Sequence, residues 1–262
     1  MLPVWVCGGS ADWSRRYEAG VLRYALGVIV PNYVPEPLEV PANVTLEPYA
    51  RRLRFVRAVT LRHATVVAAI AGLALVPGVG AVVRFFGMWG SVGIFLGYLI
   101  AMELVRIARR GTALEARLAI AGLPGLIALA AIAGRALETT GVPVHAALVG
   151  FACAGAYTAM AGRDYSFVGN GLISLGLSTA IVAWAFPGRP VALGINALAL
   201  LYHVYDLASL MSRRRVGEEW AAALDLFRDV FNIFGWALRV WRHWGRHRIW
   251  SDLPIRPSGA SS

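Results

Sequence analysis

The chain has 262 residues, of which 58% are hydrophobic and 15% charged, whereas about a quarter of a soluble domain is charged. Its apolar residues fall in runs of roughly 17 to 25, separated by arginine or Gly/Pro clusters, which excludes an ordinary soluble fold and indicates a polytopic helical membrane protein. The basic residues are all arginine and the net charge is +10; they gather at the ends of apolar runs, so they mark the cytoplasmic face of a bilayer and not a nucleic-acid surface.

Residues 1–50 read as an extramembrane segment. Arg15, Arg16 and Glu18 precede only a short apolar piece that itself contains Arg23, which is not the pattern of a secretory signal. Pro31, Pro35, Pro37, Pro41 and Pro48 then interrupt any helix. The membrane domain is expected over 51–245 and a tail over 246–262. Cys7 and Cys153 lie in unlike settings, so neither a disulfide nor a metal signature is expected.

The first span is predicted over 55–76. Arg57, Arg62 and His63 sit in its opening turns, and His63 reads as an interfacial residue. Pro77-Gly78-Val79-Gly80 marks a turn. The second span, 81–106, ends with Glu103 three residues before Arg106, on one face. An interfacial ion pair and a gating charge are both open for Glu103. The third, 118–134, is short and contains Pro124. The fourth is predicted over 144–162, with Arg163 and Asp164 in the next connection. The fifth covers 167–186, where Gly169, Gly171, Ser174, Gly176 and Ser178 let helices approach closely. The sixth, 191–210, follows Pro187, Gly188 and Pro190. The seventh is predicted over 220–241.

Arginine-rich and arginine-poor connections alternate. This places the N-terminus, the second-to-third loop and the sixth-to-seventh loop in the cytoplasm. Arg239, Arg242, Arg246, Arg248 and Arg256 resist this scheme, since seven full crossings put the C-terminus outside.

The chemistry concentrates in the last two spans. Asp206 lies eleven residues before Gly217 in the connecting turn, and Asp229 twelve after it. At about 1.5 Å of rise per residue, two helices leaving a tight turn carry both carboxylates to one depth, roughly 17 Å from its tip. Tyr202 and His203 precede Asp206 by four and three residues, on adjoining faces. Asp225, Asp229 and Asn232 form a stripe on the last helix, with Arg228 turned about 100° away from Asp229. Asp225, nearer the turn, is expected to be the wetter acid. Carboxylates at membrane depth must be neutralised by a proton, a basic partner or a cation. Two within hydrogen-bond reach can share one proton, and when ionised they suit a transient calcium ion. Alternatively, each acid only anchors a polar network that fixes helix packing.

The run Glu218-Glu219-Trp220-Ala221-Ala222-Ala223-Leu224-Asp225-Leu226-Phe227-Arg228-Asp229-Val230-Phe231-Asn232-Ile233-Phe234 resembles the last-helix signature of the transmembrane Bax inhibitor motif family. Tyr205-Asp206-Leu207 is similar to that family's sixth-helix motif, Arg163-Asp164-Tyr165-Ser166-Phe167 to the connection before its fifth helix, and Phe55-Val56-Arg57-Ala58-Val59 to its first-helix entry. The resemblance covers about residues 55–241. It implies an all-α integral membrane protein, a seven-transmembrane-helix bundle with the last helix central. It also implies a pH-sensitive calcium leak in a bacterial inner membrane, with Asp206 and Asp229 as a hydrogen-bonded latch. A second-helix arginine pairs with one of these acids in the family; Arg106, Arg109 and Arg110 all match here. The chain departs from the family in its long N-terminal segment, its arginine-only basicity and its Gly-rich fifth span.

The expected partners are therefore the bilayer, protons and permeant calcium, with no resident cofactor, no enzymatic activity and a monomeric state. A non-conducting regulator of a membrane quality-control protease is the alternative. An intramembrane aspartyl protease would also place two aspartates on adjacent helices, but Asp229 stands in Phe-Arg-Asp-Val-Phe, without the Gly-x-Gly-Asp setting of those enzymes.

Overall fold

The computed structural model describes residues 40–109, 112–162 and 165–228. Among them the chain forms seven α-helices and one short 3-10 turn, with no strand. The helices are α1 (Tyr49–Ala74), α2 (Pro77–Ala108), α3 (Ala113–Thr139), α4 (Ala146–Met160), α5 (Phe167–Ala185), α6 (Pro190–Arg213) and α7 (Glu219–Arg228, as far as it is described). Five of them, α1, α2, α3, α5 and α6, are long and apolar enough to cross a membrane. These apolar helices mark an integral membrane protein.

Each boundary has a local cause. Pro190 stands in the first turn of α6, where its missing N–H costs nothing. Ser166 caps α5 by accepting the Gly169 N–H, and Thr112 caps α3 by accepting the Glu115 N–H. The turn between α6 and α7 uses Gly217 at φ 97°, a left-handed conformation that favours glycine. Gly87 does the same inside α2, where φ 66° and ψ 177° break the helix into two rods.

Three expectations about the spans change. Pro77-Gly78-Val79-Gly80, expected as a turn, forms the first turn of α2, where proline at the helix start loses no hydrogen bond. The first helix begins at Tyr49, ahead of the predicted start at 55, because Pro48 sits just before the first turn and the arginines that follow are good helix formers. The third runs from Ala113 to Thr139 straight through Pro124, so it is not short. Of the predicted seventh span only Glu219–Arg228 is described; the remainder lies outside the described residues.

Helices α4, α5 and α6 pack on one another, α2 pairs with α3, and α1 contacts α3, α4 and α7. The described part of α7 packs against α1, α2, α3 and α6. The main core joins Val56 and Val59 of α1, Leu207, Leu210 and Met211 of α6, and Ala222 and Leu226 of α7. Phe85, Trp89, Leu172 and Trp184 are exposed on helices long and apolar enough to cross a membrane.

Antiparallel succession brings seven helix ends together: the N-termini of α1, α3, α5 and α7 and the C-termini of α2, α4 and α6. Contacts confirm this common end. Arg57 of α1 donates to the carbonyls of Thr158 (3.2 Å) and Ala161 (2.5 Å) at the end of α4. Arg62 of α1 meets Glu219 of α7 at 3.7 Å and lies over the Trp220 ring. This is the arginine-rich end of the molecule.

Candidate functional site

Asp206 is buried inside α6, two turns from the helix end. Arg213 reaches back along the helix, and its Nη2 donates to Asp206 Oδ1 at 2.6 Å and to Ser209 Oγ at 2.6 Å. The Ser209 hydroxyl donates in turn to Asp206, with Oδ1 at 3.0 Å. The seven-residue spacing places acid and arginine on nearly one face, and the long arginine stem spans the two turns. The basic group beside Asp206 therefore includes Arg213 of its own helix.

A second group of charges closes the arginine-rich end. Arg214, immediately after α6, grips two acids at once. Its Nε and Nη2 donate to Asp225 of α7 at 2.6 and 3.0 Å, and its Nη1 and Nη2 to Glu115 of α3 at 2.5 and 3.1 Å. Such planar, two-pronged recognition is the geometry a guanidinium offers and an ammonium does not. Arg228 donates to Asp225 (Nε, 2.7 Å), to Glu115 (Nη2, 2.7 Å) and to the Met102 carbonyl of α2 (Nη1, 3.3 Å). Arg106 of α2 pairs with Glu103 at 2.6 Å and approaches Asp225 at 3.6 Å. Among the described residues Glu103, Glu115 and Asp225 thus face Arg106, Arg214 and Arg228 across four chain segments, with Glu218 at 3.9 Å from Arg214. Asp225 is 0% exposed, Arg228 1% and Glu115 2%, so the charges are neutralised by one another and not by water. Burial opposes the charge on Arg214, but the carboxylates of Asp225 and Glu115 outweigh it and hold its pKa above the ordinary value.

Several sequence expectations shift against this geometry. Asp225, expected near the turn in a wet setting, is fully buried among Ala221, Ala222 and Leu224; its comparison with Asp229 lies outside the described residues. His63 is not interfacial. It is buried, its ring 4.6 Å from that of His203 and 4.9 Å from that of Phe227, with Phe151 edge-on. His203 accordingly faces this aromatic group, and among the described residues neither of its ring nitrogens has a hydrogen-bond partner. Tyr202 is half-buried on α6, one turn before Asp206. Of the three matching second-helix arginines, Arg106 is buried among the acids and Arg109 is exposed at the helix end. Arg110, Asp229 and Asn232 lie outside the described residues, as do Arg163 and Asp164.

Glu115 escaped the sequence reading, though a signal was present. Thr112-Ala113-Leu114-Glu115 reads as a capping box, which explains the acid away as a helix start. Yet Glu115 heads the same helical stripe as Ala119, Leu123 and Leu126, all buried. An acid at the head of a buried apolar stripe needs a partner.

Fold and site together define the class: a membrane protein, helical throughout its described residues apart from turns, with a buried cluster of paired charges at its arginine-rich end. No family model, no curated protein and no solved structure matches the chain.

Proposed function

We propose that this protein is a pH-sensitive calcium leak channel, held shut by charge pairs at its arginine-rich end. The observation that carries the reading is Asp206, an acid buried within an apolar helix and held by Arg213 at 2.6 Å. Ionisable groups at such depth are expensive and are retained for ion or proton pathways. The carboxylate needs a positive partner, and in the closed state Arg213 supplies it. A calcium ion offers positive charge to the same oxygen, two units where the guanidinium offers one. Opening then exchanges a tethered cation for a permeant one.

Asp229, at matching depth on the last helix by sequence, is the second acid of the latch. The packing of α7 against four other helices supports a central position for that helix. Protonation removes the negative charge that either cation requires, so calcium flux falls as pH drops. Arginine enrichment at the common end supports a cytoplasmic N-terminus and a bacterial inner-membrane location. The test is calcium-dye flux in proteoliposomes of wild type, Asp206→Asn and Asp229→Asn across pH 5 to 8. Equal flux from all three at every pH rejects the channel.

A second reading is favoured by one feature. Each acid of the ionic cluster already has an arginine partner, which suits a rigid, non-conducting regulator of a membrane protease. Absent flux with stoichiometric co-purification of such a protease would select it.

A further inference from the structure

Residues 40–46 are seated on the end of α6, and they do there what a helix cap does. The last carbonyls of an α-helix lack intrahelical donors, and α6 does not close with a glycine cap; Arg214 is extended, at φ −130° and ψ 155°. The donors come instead from the segment before α1. The Val40 N–H donates to the Ser212 carbonyl at 3.1 Å and the Val44 N–H to the Arg214 carbonyl at 3.0 Å. Arg215 Nε returns a bond to the Pro41 carbonyl at 3.1 Å. Val44 is fully buried in the main core with Leu207, Leu210 and Met211. Asn43 fastens the segment internally, donating to the Val40 carbonyl at 2.9 Å and accepting the Thr45 N–H at 3.0 Å. Ala42 is bent to φ 55°, a conformation uncommon for a residue with a Cβ.

Arg214 is thus gripped twice. Its backbone carbonyl is held by Val44, and its side chain bridges Glu115 and Asp225. We infer that 40–46 is a regulatory strap: seated, it fixes Arg214 and keeps the ionic cluster assembled; unseated, it lets the α6–α7 turn and the cluster loosen. The strap makes the segment before α1 a handle on the cluster. Its effect on flux rests on the channel reading, while its effect on the cluster does not.

Val44→Pro removes the N–H that holds the Arg214 carbonyl, keeps the local backbone, and also changes a buried core side chain, so Ala42→Gly is read beside it. Val44 opens a 3-10 turn, where proline's φ fits, and Asn43 is extended at ψ 168°, as a residue before proline must be. Ala42→Gly relieves the bend and should seat the strap more firmly. Full-length wild type, Val44→Pro and Ala42→Gly in lipid nanodiscs are compared by amide hydrogen exchange over 209–228. Loss of one buried hydrogen bond predicts about tenfold faster exchange over this stretch in Val44→Pro. Ala42→Gly should exchange more slowly than wild type. Unchanged exchange in both variants overturns the strap. Should Val44→Pro fail to insert, Ala42→Gly alone decides, since exchange no slower than wild type overturns the proposal. Calcium flux measured on the same samples separates the two readings: altered exchange without flux in any variant upholds the strap and rejects the channel.

Discussion

The seam between α4, α5 and α6 and the cluster between α2, α3, α6 and α7 are both buried and both polar, but the seam is neutral and the cluster is charged. In the seam, Asn170 Nδ2 donates to Thr158 Oγ1 at 3.2 Å, Ser174 Oγ to Asn170 Oδ1 at 2.8 Å, and Asn196 Nδ2 to Ser178 Oγ at 2.8 Å. Neutral amides and hydroxyls of this kind fix the register of close-packed helices, each for a fraction of a kcal/mol to about 1.7 kcal/mol. The approach is close: a Cβ at Gly150 would lie 2.9 Å from Asn196 Oδ1 and 3.3 Å from the Asn196 carbonyl. The cluster obeys a different rule. Taking several charges out of water costs about what their mutual attraction returns, whereas removing one of them leaves a buried charge unanswered. A seam of this kind holds helices in place, while a cluster of this kind can be switched, because one proton or one displaced arginine changes its balance.

The sharpest way to break this contrast is Glu115→Ala. It strips Arg214 and Arg228 of a shared carboxylate and should destabilise the protein by about 3–5 kcal/mol, read as loss of monodisperse protein or a lowered melting midpoint in detergent. Replacing Glu115, Arg214, Asp225 and Arg228 together by leucine and methionine should be near neutral or stabilising in the same assay. Should the fourfold variant be as damaged as Glu115→Ala, the cluster is a structural brace and the contrast fails. A smaller effect sharpens the other side. Asn170→Ala removes bonds to Thr158 and Ser174 and should cost about 0.6 kcal/mol. A loss above 3 kcal/mol there would place the seam in the same energetic class as the cluster.

Much of the fold was legible because helix-forming apolar runs and their Gly/Pro punctuation are local signals. Of the small residues of α5 expected at close packing, Ser174 and Ser178 are buried at that seam, whereas Gly176 is exposed with open space beside it. The candidate site was less legible, because it is assembled from side chains far apart in the chain. Asp206 stands out as an acid in an apolar run. That Arg213 would reach back to it, or that Arg214 would join Glu115 ninety-nine residues away, depends on the angle at which α6 ends. An arginine triplet in a loop reads first as a topology signal, and here two of its members are buried. His63 misled for the converse reason: neighbouring arginines made it look interfacial, while the face it shares with Val56, Val59, Thr60 and Val66 is buried.

The smallest expected effect concerns the second-helix arginines, among which spacing alone could not choose. Arg106 and Arg109 are three residues apart, yet the last turn of α2 sends one inward and leaves the other at its rim. Arg106 meets Glu103 at 2.6 Å and Asp225 at 3.6 Å; Arg109 is exposed where the helix ends, its backbone N–H donating to the Val105 carbonyl. Surface charges of that kind contribute about 0–1 kcal/mol. Arg109→Gln should therefore leave the melting midpoint at the wild-type value and, on the channel proposed above, the pH dependence of flux as well. Arg106→Gln, which leaves Glu103 without that partner, should lower the midpoint and move the pH profile. Equal behaviour of the two variants would mean that depth in the bundle does not separate the buried Arg106 from the exposed Arg109.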